Sequence, residues 1–194
     1  MNKNRLEAFS DGVLAIIITI MVLEFKVPNE TNFESIIKLS HKFLSYILSF
    51  IYVGIYWNNH HHLLHTVKSV NGKILWANLH LLFWLSLIPF ATAWIGENHF
   101  ASFSMMIYGC VLLMSALAFF ILQRVILKNH DENSILAKAL GKKNIKGIIS
   151  PVLYCIGIAF SPFYPIISGF LYIFVAMMWL IPDKRIENIF NNQN

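Results

Sequence analysis

The sequence predicts an all-α integral membrane protein with six transmembrane helices, and three observations carry that reading. Of its 194 residues, 57% are hydrophobic and only 13% charged, about half the charged fraction of an ordinary soluble domain. The apolar residues fall into separate runs, each closed by polar or charged residues. Lysine and arginine are spread unevenly between alternate connections. The chain reads as a single unit over residues 1–194, with helices at about 8–25, 43–60, 74–95, 103–127, 147–163 and 164–182.

The first segment opens with Arg5, Glu7, Ser10 and Asp11, runs uncharged from Gly12 to Leu23, and stops at Glu24. Its uncharged part would cover roughly 18 Å as a helix, against a hydrocarbon core of about 30 Å. The charged ends of such a span must sit at membrane depth, where ionisable groups persist only against protein or water. Acidic residues ahead of the apolar centre and the lack of a small-residue cleavage pattern argue for a retained helix over a signal peptide. At about 100° per residue, Gly12, Ile16, Thr19, Ile20 and Leu23 share one face. That stripe has two readings: a packing seam against a neighbouring helix, or the lining of a pore with an apolar constriction.

Val27–Thr31 contains Pro28 and reads as a turn, and Phe33–Lys42 as a short amphipathic interfacial helix. The second segment ends in Trp57, Asn58, Asn59 and the run His60, His61, His62, with His65 beyond. Pro89 should kink or end a helical run in the third segment. The fourth is the longest unbroken apolar run, and Lys128–Lys146 is a basic polar connector. Ser161–Pro165 is a tight divider that predicts a hairpin between the last two segments. Trp94 and Trp179 are expected as interfacial anchors, and Gly54, Gly109, Gly157 and Gly169 as sites of close helix packing.

Twelve of the fifteen basic residues fall in the N-terminus, the 2–3 loop, the 4–5 connector and the tail. Both termini are therefore expected in the cytoplasm, the protein lying in the cell (inner) membrane. The basic balance is sorted by side of the membrane and does not imply nucleic acid. Cys110 and Cys155 both lie in apolar segments and suggest no disulfide framework.

Asp11 needs partners from other helices. The polar aromatic and amide residues at the ends of segments 2 and 3 can supply them: Trp57, His60, His61 and Asn78 as donors to Ser10 and Asp11. Such a network would set the rotation of the first helix. The rival role is a ring of Asp11 carboxylates attracting cations at a channel mouth. His61 and His65 have the i, i+4 spacing of a metal pair, yet no acidic residue lies between Glu34 and Glu97 to complete a site. A membrane enzyme built on this histidine cluster would lack paired carboxylates and a nucleophile arrangement. A secondary transporter would lack an internal repeat.

The pattern Arg5, Phe9, Ser10, Asp11 at the start of the first helix resembles the signature of the transmembrane protein 175 family. Trp57 with His60 and His61, then Asn78 and Pro89–Thr92, extend the likeness, and the chain is similar to the bacterial members with one six-helix repeat. The resemblance implies a homotetrameric cation channel without a carbonyl filter, its first helix lining the pore. It implies permeant potassium ions and other monovalent cations, no cofactor, no metal and no enzymatic activity. By the same resemblance, Ile16, Ile20 and Leu23 take the constricting positions and Thr19 contributes a hydroxyl to selectivity. Modest preference for potassium over sodium is the expected outcome, with a proton-conducting channel or a secondary transporter as the alternative.

Overall fold

The structure, a computed structural model, describes residues 3–67, 69–128 and 145–180. Its regular elements there are all helical: α1 (Lys3–Leu23), α2 (Phe33–Lys38), α3 (Ser40–His65), α4 (Gly72–Ser86), α5 (Ile88–Glu97), α6 (Ser102–Leu127), α7 (Ile145–Phe160) and α8 (Pro165–Leu180). Three stretches among the described residues have the length and hydropathy to cross a membrane: Lys3–Leu23, Gly72–Glu97 and Ser102–Leu127. Ile145–Phe160 and Pro165–Leu180 are shorter apolar helices.

Local chemistry explains the boundaries. Asn32 caps α2 by accepting from the Ser35 amide, and Asn71 caps α4 by accepting from the Ile74 amide. The third segment is interrupted at Leu87, whose amide closes a tight turn onto Trp84, and α5 restarts with Pro89 in its first turn. Proline has no N–H to give the preceding turn, so the break falls just ahead of it. The second segment is longer than expected, because the polar tail through His65 continues the helix rather than ending it. The first helix also starts earlier, at Lys3, where Lys3 Nζ pairs with Glu7 Oε1 at 3.7 Å one turn on. The 129–144 connector, the sixth segment's end at 182 and the tail lie outside the described residues.

Side-chain pairs give the directions of the passes. Lys3 Nζ donates to the His65 carbonyl and Trp57 Nε1 to Asp11, so α1 and α3 are antiparallel. Asn78 reaches Ser10, and Thr92 lies against Met21, so α4 and α5 run alongside α1. Ser161 at the end of α7 donates to the Ser102 carbonyl at the start of α6, and Trp179 in α8 donates to Ser150 in α7. The hairpin expected at Ser161–Pro165 is therefore present.

The core is a layer of Leu, Ile, Val and Tyr centred on Tyr52, Leu81, Leu85, Tyr108, Leu112 and Tyr172. It contains a buried hydroxyl cluster: Ser49 Oγ lies 2.9 Å from Tyr108 Oη and 2.6 Å from Thr92 Oγ1, tying α3, α5 and α6 together. Tyr154 donates to Tyr52, which donates to the Tyr172 carbonyl. Gly109 and Gly157 leave room for the Tyr172 ring: a Cβ would sit 2.0 Å from its hydroxyl oxygen at Gly109 and 2.5 Å from its ring at Gly157. Gly169 is in ordinary contact with Met105, whereas Gly54 has nothing within 4 Å of an added Cβ. Close packing at Gly54 is thus a corrected expectation: the residue faces away from its neighbours. Gly96, not singled out in the sequence, is the close approach instead, with Lys42 Cα 2.9 Å from its Cβ position.

Candidate functional site

The site is built on the first helix, which has two apolar faces of opposite fate. Leu6, Ser10, Leu14, Ile17 and Met21 are buried against α3, α4 and α5. Ile16 is 57% exposed, Ile20 41% and Leu23 79%, with Thr19 and Gly12 exposed on the same side. An added Cβ on Gly12 would meet nothing within 4 Å. The stripe read from the sequence is therefore not a packing seam within the subunit. Spacing had left the two readings open because both faces of the helix are greasy.

At the polar end of α1, Asn78 is the hub. Its Nδ2 donates to Ser10 Oγ at 2.9 Å, and Ser10 passes its own proton to the Leu6 carbonyl at 2.8 Å. The Asn78 amide oxygen is then left as an acceptor, so His60 donates to it from Nε2 at 2.6 Å. That assignment makes Nδ1 of the neutral imidazole the acceptor, and this atom is buried without a hydrogen-bond partner. Ser10, His60 and Asn78 are all fully enclosed. A chain of three polar side chains from three helices in a low-dielectric core is costly unless every link is made, so it fixes one rotation of α1.

Asp11 is served separately. Trp57 Nε1 donates to Asp11 Oδ1 at 3.1 Å, and the His61 ring stacks on the Trp57 indole at 6.2 Å between centroids. The structure thus brings together Ser10, Asp11, Trp57, His60, His61 and Asn78. It does not bring Arg5 or Phe9 into the network: both are exposed, since the helix turns them away from Ser10. Sequence reasoning missed the Thr92–Ser49–Tyr108 cluster. Isolated hydroxyls in apolar runs carry no periodic signal, and only the fold shows that they meet. No group of three or more metal-ligating side chains occurs among the described residues.

Thr19 has a local role that bears on chemistry. Its Oγ1 donates to the Ile16 carbonyl at 2.9 Å. With its proton engaged, the hydroxyl offers outward only lone pairs, the electrostatics a cation would meet.

Fold and site together define a multi-pass helical membrane protein with an anchored first helix that is bare along its far side. Residues 5–89 match the family of the endosomal/lysosomal potassium channel TMEM175. A protein of Chryseobacterium sp. (strain P1-3) named as a potassium channel is 62% identical over 187 residues, covering 96% of this chain and 97% of that one. The crystal structure of a lysosomal potassium-selective channel TMEM175 homologue from Chamaesiphon minutus superposes with a TM-score of 0.77 at 28% identity, covering 92% of this chain and 96% of the other. The human protein named endosomal/lysosomal proton channel TMEM175 is 34% identical over 96 residues, 43% of this chain and 19% of its own length. The chain belongs to the TMEM175 family, whose members are ion channels and not enzymes.

Proposed function

We propose that the chain is one subunit of a potassium-preferring cation channel, a homotetramer of six-helix subunits in the inner membrane with both termini cytoplasmic. One observation supports this most: Ile16, Thr19, Ile20 and Leu23 are exposed on a helix whose opposite face is locked by a polar network. Four copies of α1 around an axis would bring those side chains onto a shared aqueous path. The groove beside them, lined by Ile16, Ile20, Pro89, Phe90 and Ala93 among others, would seat the neighbouring copy. The names given to the bacterial relatives support potassium as the ion.

Selectivity then follows from hydration. A ring of branched apolar side chains offers no replacement for lost water, so an ion passes only by shedding or distorting its shell. Potassium holds water less tightly than sodium and crosses at lower cost. The acceptor lone pairs of Thr19 lie one helical turn from Ile16 and stabilise the partly stripped ion. Preference for potassium is modest on this account, and rubidium and caesium also pass.

The test is a reversal-potential measurement on purified protein in bilayers with opposed potassium and sodium gradients. Wild type should reverse on the potassium side of zero, and Ile16→Asn, which supplies side-chain oxygens at the constriction, should raise relative sodium permeability several-fold. Unchanged selectivity and conductance in Ile16→Asn would remove Ile16 from the filter. Proton conduction is the second reading, favoured by the name of the human relative. The same bilayers under a pH gradient with impermeant salts separate the two.

Asp11 is assigned to the scaffold rather than to a cation-collecting mouth. Asparagine keeps an acceptor for Trp57 but loses the charge, so Asp11→Asn should leave the oligomer intact and cost about 1 kcal/mol or less. Asp11→Ala removes the acceptor of the exposed Trp57 N–H, which water can replace in part, and should cost about 0.5–1.5 kcal/mol in thermal unfolding. A drop in single-channel current in Asp11→Asn at low salt, with stability unchanged, would move Asp11 to the mouth.

A further inference from the structure

At the end of the bundle opposite the polar network, the start of α3 meets the connection from α5 to α6. Three contacts join them. An added Cβ on Gly96 would lie 2.9 Å from Lys42 Cα, and Lys42 Nζ donates to Glu97 Oε1 at 2.7 Å. The His41 and His99 rings stand 4.5 Å apart between centroids, with their planes at 87°. Phe100 packs on His41 as well, at 5.8 Å. The two backbones are thus held together beside the histidine pair.

His99 is placed there against local preference. α5 closes on a bond from the Phe100 amide to the Ile95 carbonyl at 2.9 Å, a closure that sets the residue after the C-cap Asn98 in the left-handed region. His99 has φ 50° and Phe100 φ 58°, angles that glycine takes without steric penalty and other residues do not. Backbone outliers of this kind cluster at functional sites. Neither imidazole is tied up: among the described residues no hydrogen bond engages either ring, and His99 is exposed. Lys42, beside the pair, is neutralised by Glu97, which also lies in the field of Lys26 and His99. The ring separation fits a shared ion. A nitrogen about 2.0–2.1 Å from zinc puts its ring centroid about 3.2 Å from the metal. Two imidazoles at a ligand angle of about 90–110° then have centroids roughly 4.5–5.2 Å apart. An ordinary edge-on aromatic pair reaches the same distance, but it does not call for a histidine in a position that favours glycine.

We propose that His41 and His99 together bind a divalent transition-metal ion of the class that prefers imidazole, such as zinc, with water in the remaining positions. Two protein ligands make this an exchangeable site, unlike a structural one, in which the protein fills all four positions. An ion held there fastens the α5–α6 connection to the start of α3. That the site faces the outside rests on the topology proposed above; the binding itself does not.

Isothermal titration of zinc chloride into the untagged full-length protein in detergent tests the site, with magnesium chloride as the oxygen-preferring control. Wild type should take up zinc and show no matching uptake of magnesium. His99→Gly removes one ligand while suiting the backbone, so without metal it should melt no lower than wild type. Loss of an outer-shell partner alone costs about 10–100-fold in metal affinity, so His99→Gly should weaken zinc binding at this site by about ten-fold or more. His41→Gln removes the other ligand and should weaken it as much. His61 and His65, at the far end of α3, compete for zinc, and His65→Gln reads their share. No zinc uptake by wild type, equal uptake of magnesium, or unchanged zinc affinity in either His99→Gly or His41→Gln would overturn the proposal and leave an aromatic contact only. So would loss of all zinc uptake in His65→Gln. Should His41→Gln fail to assemble, His99→Gly decides alone. Uptake is read without any current, so its failure leaves the channel assignment standing.

Discussion

Asn78→Leu should destabilise the protein by about 1.5–4.5 kcal/mol and, with so little stability to spare, deplete the assembled form. The substitution keeps approximate volume but breaks two hydrogen bonds at once. The His60 Nε2–H loses its acceptor and the Ser10 hydroxyl loses its donor, both in a fully enclosed site. The stranded His60 donor costs about 1–3 kcal/mol, and the lost Ser10 link, whose hydroxyl keeps the Leu6 carbonyl, about 0.5–1.5 kcal/mol more. Fluorescence-detected thermal unfolding with size-exclusion profiles reads the outcome. A double-mutant cycle with Ser10→Ala sharpens it: the double variant should cost less than the sum, because the Asn78–Ser10 link is then already gone and Ser10 has only its bond to the Leu6 carbonyl left to lose. Strict additivity would mean that the two residues do not cooperate. Where Asn78→Leu still assembles, its selectivity should also fall, because α1 is free to rotate and Ile16 no longer holds its register.

Gly109→Ala should cost about 1–3 kcal/mol, although the same change in an open helical position stabilises by up to about 1 kcal/mol. The new methyl would lie 2.0 Å from the Tyr172 hydroxyl oxygen and 2.9 Å from Ile158 Cγ1, in the middle of the tyrosine layer. Tyr172 has little freedom to retreat: it is fully buried and donates to the Met105 carbonyl at 3.3 Å. Gly54→Ala is the control, with nothing within 4 Å of its Cβ, and should be neutral or stabilising. Melting temperatures of the two variants should therefore move in opposite directions. Adding Tyr172→Phe to Gly109→Ala should recover part of the loss by removing the colliding oxygen. No recovery, or a neutral Gly109→Ala, would show that the α6–α8 contact is looser than described.

Much of the site was legible because its members are chemically out of place. Serine and aspartate at the mouth of an apolar helix need partners, and clusters of tryptophan, histidine and asparagine close segment 2 and open segment 3. Composition could therefore nominate Ser10, Asp11, Trp57, His60, His61 and Asn78. It could not say who pairs with whom. That Asn78 bridges Ser10 and His60, while Trp57 takes Asp11, follows from how three helices cross. Arg5 and Phe9 belong to the same sequence pattern and yet stand outside the network, since adjacency along a helix is not adjacency in space.

By itself, the sequence determined the helical membrane class, the approximate segment positions and the charge asymmetry. These depend on local hydropathy and on counts of charged side chains, which no folding can change. Only the tertiary structure decided the rotation of the first helix, with Leu14, Ile17 and Met21 inward and Ile16, Ile20 and Leu23 outward. The physical reason is that hydrophobicity is nearly equal around that helix, so burial cannot choose a face. A few directional hydrogen bonds at one end can.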